Sequence, residues 1–414
     1  MQNITTKLNK TMKKQLLFVC LFLFCALGKA QIIVHVSEIE KFHNLMRHIE
    51  KKAGGELRCE RGNELQLQAA FERNSKDSTL NALIDNLVNS MVSYYGRLGL
   101  RHVSVNNFSE EIPRAREAYR VAFTVLPNFC VDLVGGRPNK PELWVEYWND
   151  IEHRKRIENA VIELSASMEE IVESMTSDLK ALLPRDVEMD VEMNIHLITH
   201  GDGAFFFGNN IVMDLLCESF ANFSNFFATL THEVHHVFYG NWLWGRFANK
   251  ERNQGERYLF SYQMRFILEG TASFYEIPLL PSELKQMKAN RELNAELLDE
   301  FILIMRGLAG DNPQYYYWEV FRDYLGERSF EWQKRFWPGD PDSIIQGFRP
   351  TVIYYLSFNI YNLIYESGGH EKLKFVIENP AKLLSVFNEL HTECMIVPRV
   401  PDDIVLLWKN NLTP

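Results

Sequence analysis

Apolar residues recur at helical spacing through most of the first half of the chain. Between residues 155 and 183 they fall at Ile157, Val161, Ile162, Leu164, Met168, Ile171 and Met175, with Pro184 just beyond. Steps of three and four residues place all of them but Ile162 on one face, which predicts a long amphipathic helix stopped by proline. Ser37, with Glu40 three residues on, has the spacing of a capping box and predicts a helix start. Ser78 predicts a second start, for a helix running through Ile84 and Val88 to a stop near Gly96. Residues 37–182 therefore read mostly as helices whose apolar stripes build a core.

The texture changes after Pro184. Residues 191–199 alternate and predict a strand, and Gly201-Asp202-Gly203 predicts a turn. Residues 204–216 predict a second strand interrupted at Gly208-Asn209-Asn210, and helical patterning returns from Asn222 to the end. The expected fold is mainly α with a small β-sheet. A boundary near residue 185 divides a helical N-terminal region, 31–185, from a C-terminal region, 186–414, and the two are compatible with one shared core.

The first thirty residues follow a different rule. Lys7, Lys10, Lys13 and Lys14 precede an apolar run from Leu16 to Leu27, and Gly28-Lys29-Ala30 offers small residues where a signal peptidase reads. About a dozen apolar residues fall short of the ~20 that span a bilayer, so residues 1–30 are expected to be a signal peptide cut before Gln31. No stable membrane span is expected after cleavage, and the mature protein is expected to be exported, to a periplasm or the exterior. The leader carries five lysines and no acid, so its loss takes the formal net charge from −10 to −15. Such acidity argues against nucleic acid as a partner. Cys59, Cys130, Cys217 and Cys394 remain. In an exported chain they can pair in three ways, and buried free thiols are the equal alternative.

The chemistry is concentrated in one decapeptide. Residues 229–238 read Thr-Leu-Thr-His-Glu-Val-His-His-Val-Phe, and Glu233 is the sole charged residue among them. His232 and His236 are four apart, so on a helix their imidazoles stack on one face and can meet a single zinc at about 2.0–2.1 Å. Glu233 is turned about 100° from His232 and points past the metal toward a bound water. There a carboxylate serves as general base. His235 reads as a packing residue or one that supports a ligand from behind.

A catalytic zinc usually takes a third protein ligand. Glu256, Glu269 and Glu276 are the downstream candidates. If 256–276 is one helix, the thirteen residues between Glu256 and Glu269 turn it some 220° net, so only one of the two can reach the metal. Glu256 sits in a polar, Gly-containing stretch where an acid favours the helix dipole. Glu269 lies between Phe266-Ile267-Leu268 and Ala272, where an unpaired carboxylate is costly. Burial therefore favours Glu269. Glu276 shares its face two turns on. Gly270 and Ala272 are expected to let this helix approach the His helix closely.

An H-E-x-x-H followed some thirty residues later by E-G-x-A resembles the Glu-type zincins, the gluzincins, and related bacterial zinc-dependent peptidases. The resemblance spans about residues 190–370. It implies a zincin-like catalytic unit in which His232, His236 and Glu269 hold Zn2+ and Glu233 is the general base. It also implies that a peptide or protein substrate lies along an edge strand ahead of the His helix. Residues 204–216 are placed to supply that strand, and an ordinary buried hairpin reads alike. A Tyr in the segment 349–357 would assist the oxyanion, and Tyr354 is the candidate. Ser273 stands where thermolysin-like enzymes carry an Asp, and the G-A-M-E-N signature of the large aminopeptidases is absent. The expected function is an exported zinc peptidase. The alternatives are a zinc hydrolase of a non-peptide amide or ester, and a non-catalytic metal-stabilised binding module, against which the intact Glu233 argues.

Overall fold

A computed structural model of the chain describes residues 32–102, 119–130, 140–199, 204–216, 223–247, 250–276, 291–310, 352–393 and 395–412. The expected signal peptide, Cys217, Cys394 and residues 349–351 lie outside these. The architecture is mainly helical with one four-stranded sheet, as the patterning predicts.

Strand β1 (Ile32–His35) leads through Val36 alone into α1 (Ser37–Ala53). Val36 is the cap residue and makes no side-chain cap bond, so the expected capping role of Ser37 is not realised. The connection from strand to helix is too short to leave Ser37 outside the helix. Helix α2 (Glu64–Asn74) carries a complete capping box between Asn63 and Gln66. Helix α3 (Ser78–His102) is capped one residue earlier than Ser78, by Asp77, whose Oδ1 accepts the Leu80 N–H at 3.0 Å. It continues past Gly96, where the sequence suggested a stop, because one glycine weakens a helix without ending it. Helix α4 (Lys140–Asn149) is followed by α5 (Ile151–Lys180), the long helix anticipated before Pro184.

The second half opens with β2 (Met193–Ile198), β3 (Ala204–Phe207) and β4 (Asn210–Asp214). Helix α6 (Phe223–His235) passes into a π-helical turn over His236–Gly240 and then α7 (Asn241–Phe247). Next come α8 (Gln254–Glu276), α9 (Arg291–Leu308), α10 (Val352–Glu378), α11 (Leu383–Leu390) and α12 (Asp402–Asn411).

The sheet order is β1-β2-β4-β3, with β1 and β4 parallel to β2 and β3 antiparallel to β4. The interruption seen in the sequence is a tight turn: Phe207 pairs with Asn210, and Gly208 takes φ 54°, a left-handed value that two-residue hairpins demand. Strand β3 is therefore an edge among the described residues. Period-two alternation sends Met193, Ile195, Leu197, Ile211 and Met213 into the main core. Ile198 and Val212 fall on the opposite face.

Two large apolar cores are found among the described residues. One lies within the N-terminal helices and includes Phe42, Leu45, Ile84, Phe123 and Trp144. The larger surrounds the sheet and the later helices. Residues before 185 enter it directly: β1 pairs with β2, and α5 contributes Leu164, Met168, Val172 and Leu179. Ile157 touches both cores. A disulfide joins Cys59 to Cys130, 71 residues apart, at the edge of the N-terminal core.

Candidate metal centre

Helix α6 buries Leu230, Val234 and the following Val237 completely, which fixes its rotation against the core. That rotation carries His232 and His236, spaced by one turn, to one side. Glu233, one residue round the helix, is also buried. The π-helical turn begins at His236 itself, and such insertions recur at functional sites.

Helix α8 supplies the third group. Its start is set by Asn253 and Glu256: the Asn253 N–H donates to Glu256 Oε2 and the Glu256 N–H to Asn253 Oδ1, each at 2.9 Å. Glu256 thus has a purely local task. Thirteen residues on, Glu269 lies across from the imidazoles. Its Oε2 is 3.0 Å from His232 Nε2 and 3.2 Å from His236 Nε2, and the two Nε2 atoms are 2.9 Å apart. These are the residues that could hold a metal among those described.

This triangle fits zinc. Ligand atoms at 2.0–2.1 Å in a tetrahedral site lie about 3.3 Å from one another, close to the spacing found. Two imidazole nitrogens and a carboxylate oxygen aimed at one point cannot all satisfy each other by sharing protons. A cation between them meets all three. Burial opposes ionisation of Glu269, yet His236 and His232 outweigh it and hold its carboxyl well below the usual range. The third group is therefore an anion, as a zinc ligand must be.

The surroundings are aromatic. Phe206 of the edge strand β3 stacks on the His236 ring, centroids 4.8 Å apart and planes 26° from parallel. His235 is fully buried beside the Tyr239 and Tyr275 rings, at 5.3 and 5.4 Å, and burial pushes its imidazole well below its ordinary pKa. It is a neutral packing residue. Asn241 donates to Asn209 at 3.0 Å, tying the β3–β4 turn to the start of α7 just beyond the π turn.

Tyr354 is half-buried at the start of α10 and packs against the main core. Glu276 ends α8, and its side chain is outside the described residues. The expected close approach of Gly270 to the His helix is corrected: a Cβ there would meet Ser357 and Tyr361 of α10. The stacking of Phe206 was not anticipated. Its only trace in the sequence is three consecutive Phe, 205–207, before the turn.

No curated protein and no solved structure matches the chain. A family model does match, over residues 107–327, a range that contains His232, Glu233, His236 and Glu269 but not Tyr354. With more than half of its length in that match, the chain belongs to the family described as "Putative zinc dependent peptidase (DUF5700)".

Proposed function

We propose that the chain is an exported, zincin-like peptidase that hydrolyses peptide bonds at His232, His236 and Glu269 with Glu233 as general base. The observation that carries the reading is the convergence of those two imidazoles and one carboxylate within hydrogen-bonding distance of one another. Zinc, when bound, supplies Lewis acidity for the scissile carbonyl and makes a water acidic enough to react near neutral pH. Glu233 takes the proton of the attacking water on its carboxylate and delivers it to the departing amine. Glu233 is buried on α6, one residue from His232. Tyr354 donates a hydrogen bond to the developing oxyanion.

The edge position of β3, with Phe206 stacked on His236, supports binding of an extended peptide by strand addition beside the metal. Export is supported by the Lys-rich start with its apolar run and by the Cys59–Cys130 disulfide, a bond that persists in oxidising compartments.

The test is metal analysis of the purified protein together with a broad peptide-cleavage profile, with and without a chelator. About one zinc per chain and chelator-sensitive cleavage are expected. Cleavage that survives complete metal removal, or a zinc-loaded protein that cuts no peptide while hydrolysing a non-peptide ester, would overturn it.

A further inference from the structure

We infer that Gly270 is a positioning residue for the metal site: its missing side chain sets the seat of α8 on α10, and that seat aims Glu269 at His232 and His236. This inference rests on the zinc reading of the cluster. Glu269 and Gly270 are neighbours on α8, about 100° apart around its axis. Glu269 faces the imidazoles of α6 and Gly270 faces α10. A Cβ built at Gly270 would stand 2.6 Å from Ser357 Cβ, 2.7 Å from its Oγ and 2.9 Å from Tyr361 Cδ2.

Ser357 cannot yield easily. It is completely buried, its Cβ is attached directly to the α10 backbone, and its hydroxyl donates to the Ile353 carbonyl one turn back. Carbon atoms in ordinary contact sit about 3.5–4.0 Å apart, so a methyl group at 270 must open the two helices by about 1 Å. Metal–ligand distances tolerate only about 0.2 Å. The shift arises one residue from the carboxylate, while His232 and His236 are held separately on α6 and its π turn.

The experiment compares wild type, Gly270→Ala, and Gly270→Ala/Ser357→Gly, in which the opposing Cβ is removed. Zinc affinity is measured by chelator competition, the absorption spectrum of the Co2+-loaded protein reports the ligand set, and melting of the metal-free form reports folding. Gly270→Ala should bind zinc about 10–100-fold more weakly, the range seen when support of a metal ligand is lost, and should alter the Co2+ spectrum. The double variant should recover both to within a few fold. A purely structural glycine would lower metal-free melting and leave the affinity and spectrum of the folded protein unchanged, which would overturn the inference. A folded double variant that stays weak also overturns it, because the contact with Ser357 is then not the cause. If Gly270→Ala does not fold, the double variant decides alone, and its failure to fold counts against the inference. Wild type that binds neither Zn2+ nor Co2+ sinks the reading of the site itself. Wild type that binds both, with Gly270→Ala unchanged, sinks only this inference.

Discussion

His236 and Glu269 are 33 residues apart in the chain, and their Nε2 and Oε2 atoms lie 3.2 Å apart in the fold. His232, one turn before His236, completes the triangle. Two helices with different neighbours build this site, and each part of it can be tested separately.

The division of labour proposed between Glu233 and the three candidate ligands predicts a clean separation of binding from catalysis. Glu233→Gln is expected to keep about one zinc per chain while kcat falls about 10²–10⁴-fold, the usual worth of a general base. Metal content and single-turnover rates check this. Cleavage at the wild-type rate would take Glu233 out of the mechanism.

Glu256 and Glu269 should respond oppositely to truncation. Glu269→Ala should weaken zinc binding sharply, because it removes one corner of the triangle. Glu256→Ala removes only the capping-box acceptor of α8, so about 1 kcal/mol of stability should go with zinc affinity intact. Chelator competition on both variants distinguishes them. Equal zinc affinity in Glu269→Ala and wild type would refute the ligand assignment.

The sheet carries a source of acid sensitivity away from the site. On the register pair between β1 and β2, the His35 and His196 rings stack with centroids 4.4 Å apart. Burial, aided by His35 and opposed by the hydrogen bond with Asn210, pushes the His196 imidazole down to about 4 from 6.5. The folded protein keeps His196 neutral where the unfolded chain already binds a proton. Its contribution is therefore complete above pH 6.5 and is lost as pH falls toward about 4. The loss is up to about 3 kcal/mol at 1.36 kcal/mol per unit. Urea titrations across that window should show a flatter pH dependence in His196→Asn. An unchanged slope would dismiss His196 as its source.

Reducing the Cys59–Cys130 bond should act on stability rather than chemistry. Closing a loop of 71 residues is worth about 4 kcal/mol in chain entropy. The bond belongs to the N-terminal core, away from the triangle. Cys59→Ser/Cys130→Ser should melt earlier than wild type and still bind zinc while folded. Calorimetry and metal content on the same sample check both halves. Loss of zinc from the folded variant would contradict the separation.

Much of this protein is legible in its sequence because the determining interactions are local. A spacing of four places His232 and His236 on one helical face whatever surrounds them. An acid amid Phe266-Ile267-Leu268 and Ala272 needs a partner, whereas Glu256 beside Asn253 needs only a helix start. Alternation announces β2 and the strands around the Gly208 turn, and the α5 stripe ends at proline as its pattern requires. Helix starts at Ser37 and Ser78 are misjudged by one position, since the short link from β1 puts Val36 at the first cap site and Asp77, as good a cap as serine, takes the second.

What the tertiary structure alone decides depends on contacts between distant segments, which carry no periodic signature. Four residues, Ile32–His35, become a strand because β2 offers them a parallel edge about 160 residues later, in a register that sets His35 against His196. Cys59 meets Cys130, one pairing among those the sequence left open, because the N-terminal core folds their loops together. Phe206 comes to rest on His236 because β3 forms the sheet edge over α6. Gly270 turns toward Ser357 rather than toward the His helix because α8 is held between two helices. The sequence shows that a glycine stands beside Glu269, and only packing determines which neighbour occupies the space it leaves.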